Sequence, residues 1–205
     1  LLERWVDTPL GMLGGRTPLA AAGDPAAQRE LAAAVLCLAH GITHDDDAEV
    51  AQQLREKLQL PPLDTIEPDQ VDVLQVPLGR AHRLNFRALA DDRVEPLLAR
   101  LLMGGADLAV SRLAAEVVRR VEEEDSDLDA SQAYRELIDG TPSPTEALDL
   151  ARRGRVWAEK RGHNTAEWGL RELQLQLELG SPEGIQSALA FRQARHGKDP
   201  KVGEQ

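Results

Sequence analysis

The chain has 205 residues, room for one large domain or two small ones, and only 3% of them are aromatic. That poverty argues against β-sandwiches and barrels, whose strands draw on aromatic and β-branched side chains. The formal charge of −11 at pH 7 disfavours both a nucleic-acid interface, which needs a basic face to neutralise phosphates, and docking on anionic lipid.

Ala, Leu, Glu, Arg and Gln dominate, and these are strong helix formers. No apolar run approaches the ~20 residues that span a bilayer. Charges at Glu3, Arg4 and Asp7 do not fit a signal peptide. The single cysteine, Cys37, precludes an internal disulfide framework and fits a reducing compartment, so a cytoplasmic location is expected. The first residue is Leu rather than Met, as expected of a fragment or a trimmed product.

Taken in order, the first element is a short helix opened by Thr17-Pro18, a capping residue followed by a first-turn proline, and stopped at Gly23. Asp24-Pro25 repeats the start signal for a helix running to Ala39, with Leu31, Val35 and Leu38 at helical spacing. Gly41 ends it. Thr43 caps the next helix, whose first turn carries Asp45, Asp46 and Asp47 at the positive end of the dipole, and whose buried stripe is Val50, Leu54 and Leu58. Gln59–Leu78 holds Pro61, Pro62, Pro68 and Pro77. Proline breaks helices and restricts its neighbours, so the segment reads as a connector with at most one turn, around Asp69–Leu74.

From Leu84 the helical pattern is continuous. Val94, Leu97, Leu98, Leu101 and Leu102 make one apolar face, closed by Gly104-Gly105. Leu108, Leu113, Val117, Val118 and Val121 make the next, ending in the acidic run Glu122–Asp125. Ala130, Tyr134, Leu137 and Ile138 mark a shorter helix that Gly140 terminates. Ser143-Pro144 and Ser181-Pro182 are two further starts, the first with Glu146 placed for a capping box. Four regions are therefore expected: a helical module over 1–58, the connector over 59–83, helical hairpins over 84–198, and a tail over 199–205.

The two Ser-Pro starts lie 38 residues apart, and a further shift of the same size reaches Gly105. In that phase Ala109, Ala147 and Ile185 correspond, as do Leu113, Ala151 and Leu189. Partner helices beginning near Asp92, Ala130 and Asn164 fill the intervals. This pattern resembles degenerate tetratricopeptide-like repeats, stacked antiparallel hairpins with a period of roughly 34 residues or more. Coincidence among ordinary antiparallel helices is the rival reading. The resemblance implies an all-α fold, with a small N-terminal helical cap and a stack presenting an extended surface to other polypeptides.

Trp5, Pro9, Leu13, Gly14, Gly15, Arg16, Thr17 and Pro18, with Leu36 closing the pattern, make the N-terminal stretch similar to the toxin-binding domain of the Xre/MbcA/ParS antitoxin family. The likeness implies a partner-binding surface, in that family directed at a toxin with an ADP-ribosyl-transferase-like or NAD-degrading fold. Read without the family, Gly14-Gly15 lets the chain reverse with positive φ, Thr17 caps, and Trp5 and Leu13 cover a small helical core.

Cys37, His40 and His44 would share a face of an unbroken helix, and thiolate with imidazoles is zinc chemistry. Gly41 interrupts that helix and no fourth ligand lies near, so no metal is expected, and Cys37 reads as a small buried hydrophobe. Arg152, Arg153, Arg155, Lys160 and Arg161 could form a basic patch, but Asp149 and Glu159 among them suit a solvated helix face. His82, at an element junction, reads as a residue that caps or hydrogen-bonds backbone, with a site role as the alternative. Trp157 and Trp168 either pack a hairpin joined by a turn at Gly162-His163-Asn164 or stand as exposed aromatic anchors. No GxSxG, P-loop, HExxH or dinucleotide fingerprint occurs, and no Ser-His pair has an orienting third group. No enzyme activity and no cofactor are expected. The expected function is that of an adaptor or scaffold binding another protein, steered toward basic partners by the acidic charge. The alternative is an antitoxin-like regulator acting through Trp5–Leu36. The candidate contact residues are Trp5, Arg16, Arg155, Trp157, His163 and Trp168.

Overall fold

A computed structural model describes residues 2–39 and 52–196, and among them regular structure is helical, with no strand beyond an isolated parallel bridge between Ile66 and Leu84. The fold is all-α. The chain divides into two units, one formed by Leu1–Leu89 with Ala99–Ala109, the other by Ala90–Leu98 with Val110–Gln205. Thr43, Asp45–Asp47, Val50, His40, His44 and the expected tail lie outside the described residues.

In the first unit α1 (Leu2–Trp5) leads into a 3-10 turn (Gly11–Leu13), then α2 (Pro18–Ala21), α3 (Gln28–Ala39) and α4 (52–57). Gly14 and Gly15 both adopt left-handed φ, +66° and +80°, a conformation that costs other residues roughly 1–2 kcal/mol. They turn the chain so that Thr17 can cap α2, its Oγ1 accepting from Ala20 N at 3.1 Å with Pro18 in the first turn. Val6, Leu13, Ala21, Leu31, Val35, Leu54, Leu58 and Leu60 form the buried cluster these elements enclose.

The helix expected from Asp24-Pro25 begins at Gln28 instead. Asp24 Oδ1 accepts from Ala26 N and its carbonyl from Ala27 N, so the start signal forms a turn first and the helix second. A second correction concerns Cys37, which is exposed. Leu31, Ala34 and Val35 set the buried stripe of α3. At about 100° per residue Cys37 falls roughly 110° off its centre, and Leu36 further still.

Residues 59–77 contain turns and no helix until α5 (Leu78–Ala81), followed by a 3-10 turn at Phe86–Ala88. Three arginines fix this stretch through backbone carbonyls. Arg55 donates to Pro61 O, Arg83 to Asp64 O, and Arg100 to Val76 O, all between 2.6 and 2.9 Å. Val73, Val76, Ala81 and Leu84 are buried. His82 stands at the C-cap of α5.

The remaining helices are α6 (Asp91–Met103), α7 (Asp107–Glu123), α8 (Ser131–Gly140), α9 (Pro144–Lys160), α10 (Ala166–Leu179) and α11 (Pro182–His196). On α7 the side chains of Val110, Leu113, Ala114, Val117, Val118 and Val121 are buried, the three- and four-residue spacing of a core-facing stripe. Ser143 Oγ accepts from Glu146 N and starts α9, while Gly180, at φ +65°, ends α10. In the second unit α8 packs on α9, α9 on α10 and α10 on α11.

The positions expected to correspond differ in burial. Ala109, Ala147, Leu113 and Ala151 are buried, but Leu189 is 39% exposed and Ala188 is the buried residue of α11. α9 is flanked by α8 and α10, whereas α11 packs chiefly on α10, so a different face of α11 is covered.

Candidate functional site

Tyr134 on α8 is fully buried and organises the side chains around it. Its ring centre lies 6.2 Å from that of Trp157 on α9, and 5.8 Å, edge to face, from that of Trp168 on α10. These are favourable geometries for aromatic quadrupoles. Trp168 can reach this position because position 154 is glycine: a Cβ there would sit 2.6 Å from the indole ring. The His163 ring, exposed in the α9–α10 turn, stacks 4.9 Å from Trp157.

The phenol ties this cluster to charge. Tyr134 donates to Glu122 Oε1 at 2.7 Å, and Arg153 donates to both oxygens of the same carboxylate at 2.9 and 2.7 Å. The Arg153 guanidinium holds the Glu122 carboxyl below its ordinary range, while burial, then the hydrogen bond to Glu122, push the Tyr134 phenol up. Both groups are thus fixed near neutral pH, one ionised and one protonated.

Other ion pairs join helices, several of them not consecutive. Arg135 on α8 forks onto Glu167 on α10, and Arg171 on α10 reaches Asp139 on α8. Arg161, just beyond α9, meets Asp127 and Asp125, just beyond α7. Arg120 joins α7 to α6 through Asp91 at 2.5 Å and also holds Glu116, whose carboxyl is kept low by Arg119 before Arg120. On α9, Arg155 pairs with Glu172 of α10.

Trp157, His163 and Trp168 are therefore brought together, with Arg155 on the same helix as Trp157. Trp157 and Trp168 are 6% and 3% exposed, so they pack the hairpin rather than stand as open anchors. Trp5 and Arg16 belong to the first unit. Trp5 is half-buried against the apolar cluster, and Arg16 donates to Leu13 O and to Asp24 Oδ2 at 2.7 Å. Around them Met12, Leu19 and Leu36 are exposed.

Sequence reasoning missed Tyr134 as a hub, and Glu122 as its acceptor. The only signal for Glu122 was charge complementarity with Arg153, 31 residues away. Among the described residues no group of three His, Cys, Asp or Glu side chains could hold a metal ion, and no helix is long and apolar enough to cross a membrane. The acidic groups named above serve as acceptors for arginine, an arrangement that braces helices against each other. The chain matches no protein-family model, no curated protein and no solved structure.

Proposed function

We propose that this protein is a non-catalytic adaptor or scaffold that binds another polypeptide on a surface built from stacked helical hairpins. One observation carries the reading: side chains on, or just beyond, alternate helices meet at a near-constant sequence separation. Glu122 and Arg153 are 31 residues apart, Arg135 and Glu167 are 32, Asp139 and Arg171 are 32, and Asp127 and Arg161 are 34. A stack of similar hairpins makes such contacts one repeat apart, and a period near 34 is that of tetratricopeptide-like arrays. Arrays of this kind offer extended surfaces to partners, and the net charge of −11 favours encounter with a basic one.

The test is affinity capture with the whole chain, followed by chemical cross-linking and mapping of the linked residues. A partner linked to exposed positions between Val110 and His196 supports the adaptor reading. A partner linked only to residues 4–38 overturns it in favour of a second reading, an antitoxin-like regulator acting through the Trp5–Leu36 module. That reading is favoured by the exposed apolar side chains Met12, Leu19 and Leu36 on so small a module, since exposed apolar surface marks interaction sites.

A further inference from the structure

Arg55, on α4, is a buried cation without a counter-charge. It is 5% exposed, a state that arginine rarely adopts unless it is paired. The end of α4 explains how it is held. Gln59 turns left-handed at φ +54°, and Leu60 N bonds back to Arg55 O at 2.9 Å, a left-handed helix closure. That reversal brings Pro61 O onto Arg55 Nη2 at 2.6 Å. Nε is buried and meets no acceptor, while Nη1, also unbonded, is not sealed in and is the nitrogen that meets solvent.

A second guanidinium is fixed to the same turn. Arg83, part-exposed, donates from Nε and Nη2 to Asp64 O at 2.9 and 2.7 Å, and its Nη1 is left over. Neither arginine meets a carboxylate among the described residues. Asp64 offers Arg83 its carbonyl, and Glu67, the next acid along the chain, accepts from Asn85 Nδ2 at 2.9 Å. Burial, then repulsion by Arg83, lowers the Arg55 guanidinium from its ordinary range. A cation taken out of water beside another, with no acid between them, costs free energy that a bound anion offsets.

We infer that Arg55 and Arg83 form a binding site for a phosphate group. Two cations without an acid match a doubly negative ligand, whereas a single carboxylate leaves one of them uncompensated. Guanidinium N–H groups suit phosphate oxygens. The carbonyls of Pro61 and Asp64 already hold both side chains in place, so little freedom is lost on binding.

The experiment is a nuclear magnetic resonance titration of the whole chain that follows the Nε–H signals of Arg55 and Arg83. The probes are sodium phosphate, a phosphoserine peptide flanked by alanines, sodium acetate and sodium chloride, at matched ionic strength and about pH 8, where phosphate carries nearly two charges. Phosphate shifts both signals saturably, chloride shifts neither, and acetate binds about tenfold more weakly than phosphate. Arg83→Gln, at the part-exposed member of the pair, weakens phosphate about tenfold, as loss of one charge-assisted contact does. Melting with and without phosphate separates a site from a brace: phosphate raises the melting temperature of the parent and leaves that of Arg55→Met unchanged. Tighter binding of the peptide than of inorganic phosphate assigns the group to a polypeptide, and equal binding assigns it to a free anion. The inference is overturned by a phosphate response no greater than that to chloride, by acetate binding as tightly, or by an Arg83→Gln variant that binds phosphate as well as the parent. The assay needs no protein partner and probes the first unit, so its failure leaves the adaptor reading untouched.

Discussion

The two units reach stability by different routes. The first is made of helices of 4 to 12 residues separated by glycine turns, and it depends on one apolar cluster, on caps, and on arginines that hold carbonyls of a proline-rich stretch. The second is made of helices of 10 to 17 residues, joined by an aromatic hub and by ion pairs between alternate helices. Short helices are marginal alone and need tertiary packing to persist. Longer helices can be positioned by contacts spread along their length. The first unit should therefore respond most to lost apolar volume and to broken caps, and the second to disruption of Tyr134 and its neighbours.

The largest effects expected are cavities at the two centres. Trp168→Ala removes the indole that covers Gly154 and meets Tyr134, and should cost about 3–5 kcal/mol in urea unfolding, while Leu31→Ala in the first unit should cost ~2–5 kcal/mol. Near-ultraviolet circular dichroism distinguishes the sites, because only the first disturbs the aromatic cluster. A Leu31 variant that loses the cluster's signal as fully would mean that the two regions are not separately built.

Next comes Tyr134→Phe, which keeps the ring and removes the donor to Glu122. A hydrogen bond to a charged group contributes about 1.5–3 kcal/mol, and the low end is expected since Arg153 still satisfies the carboxylate. The pH dependence gives the sign. Glu122 and Glu116 have carboxyls lowered in the folded state, by the Arg153 and Arg119 guanidinium groups respectively. Their contribution is complete above the ordinary value of 4.5 and disappears as pH falls through the lower folded values. Tyr134 is shifted upward by burial, then by Glu122. Its contribution is complete below 10.0 and is lost as pH rises through the higher folded value. Phe at 134 should flatten the alkaline limb and leave most of the acid limb intact, as measured by melting temperature across pH.

A smaller loss, about 1 kcal/mol, is expected for Thr17→Ala, which leaves the Ala20 N–H of a one-turn helix without its cap. Thr17→Ser should recover most of it. Equal losses in both variants would remove the hydroxyl from the account.

Helix starts and stops were legible because they are written in local chemistry. Ser143-Pro144, Ser181-Pro182 and Gly104-Gly105 bound α9, α11 and α6 near where spacing predicts, and the expected partner starts at Asp92, Ala130 and Asn164 fall close to Asp91, Ser131 and Ala166. What could not be read is where partners have no side-chain signature. Arg55, Arg83 and Arg100 bond to carbonyls, which every residue carries. The exposure of Cys37 and of Leu189 follows from how neighbouring helices pack, a matter of three dimensions that a one-dimensional stripe leaves open. The hub was half-legible: Tyr134, Trp157 and Trp168 read as apolar, but nothing local joins Tyr134 to an acid 12 residues earlier.

The smallest effect discriminates most between a repeat and a coincidence of ordinary helices. Arg135 and Glu167 are 42% and 55% exposed, so solvent screens them and their coupling should be only ~0.2–1 kcal/mol. A double-mutant cycle with Arg135→Gln and Glu167→Gln measures it, and Arg135→Glu with Glu167→Arg tests whether the reversed pair recovers what each single reversal loses. Asp139 and Arg171 lie between the same two helices at the same 32-residue separation, so the same cycle there should return a coupling of similar size and sign. Equivalent couplings at equivalent offsets are what a repeated hairpin produces. Two unrelated contacts have no reason to agree, and a coupling at one site with none at the other would reduce the array to neighbouring helices that happen to touch.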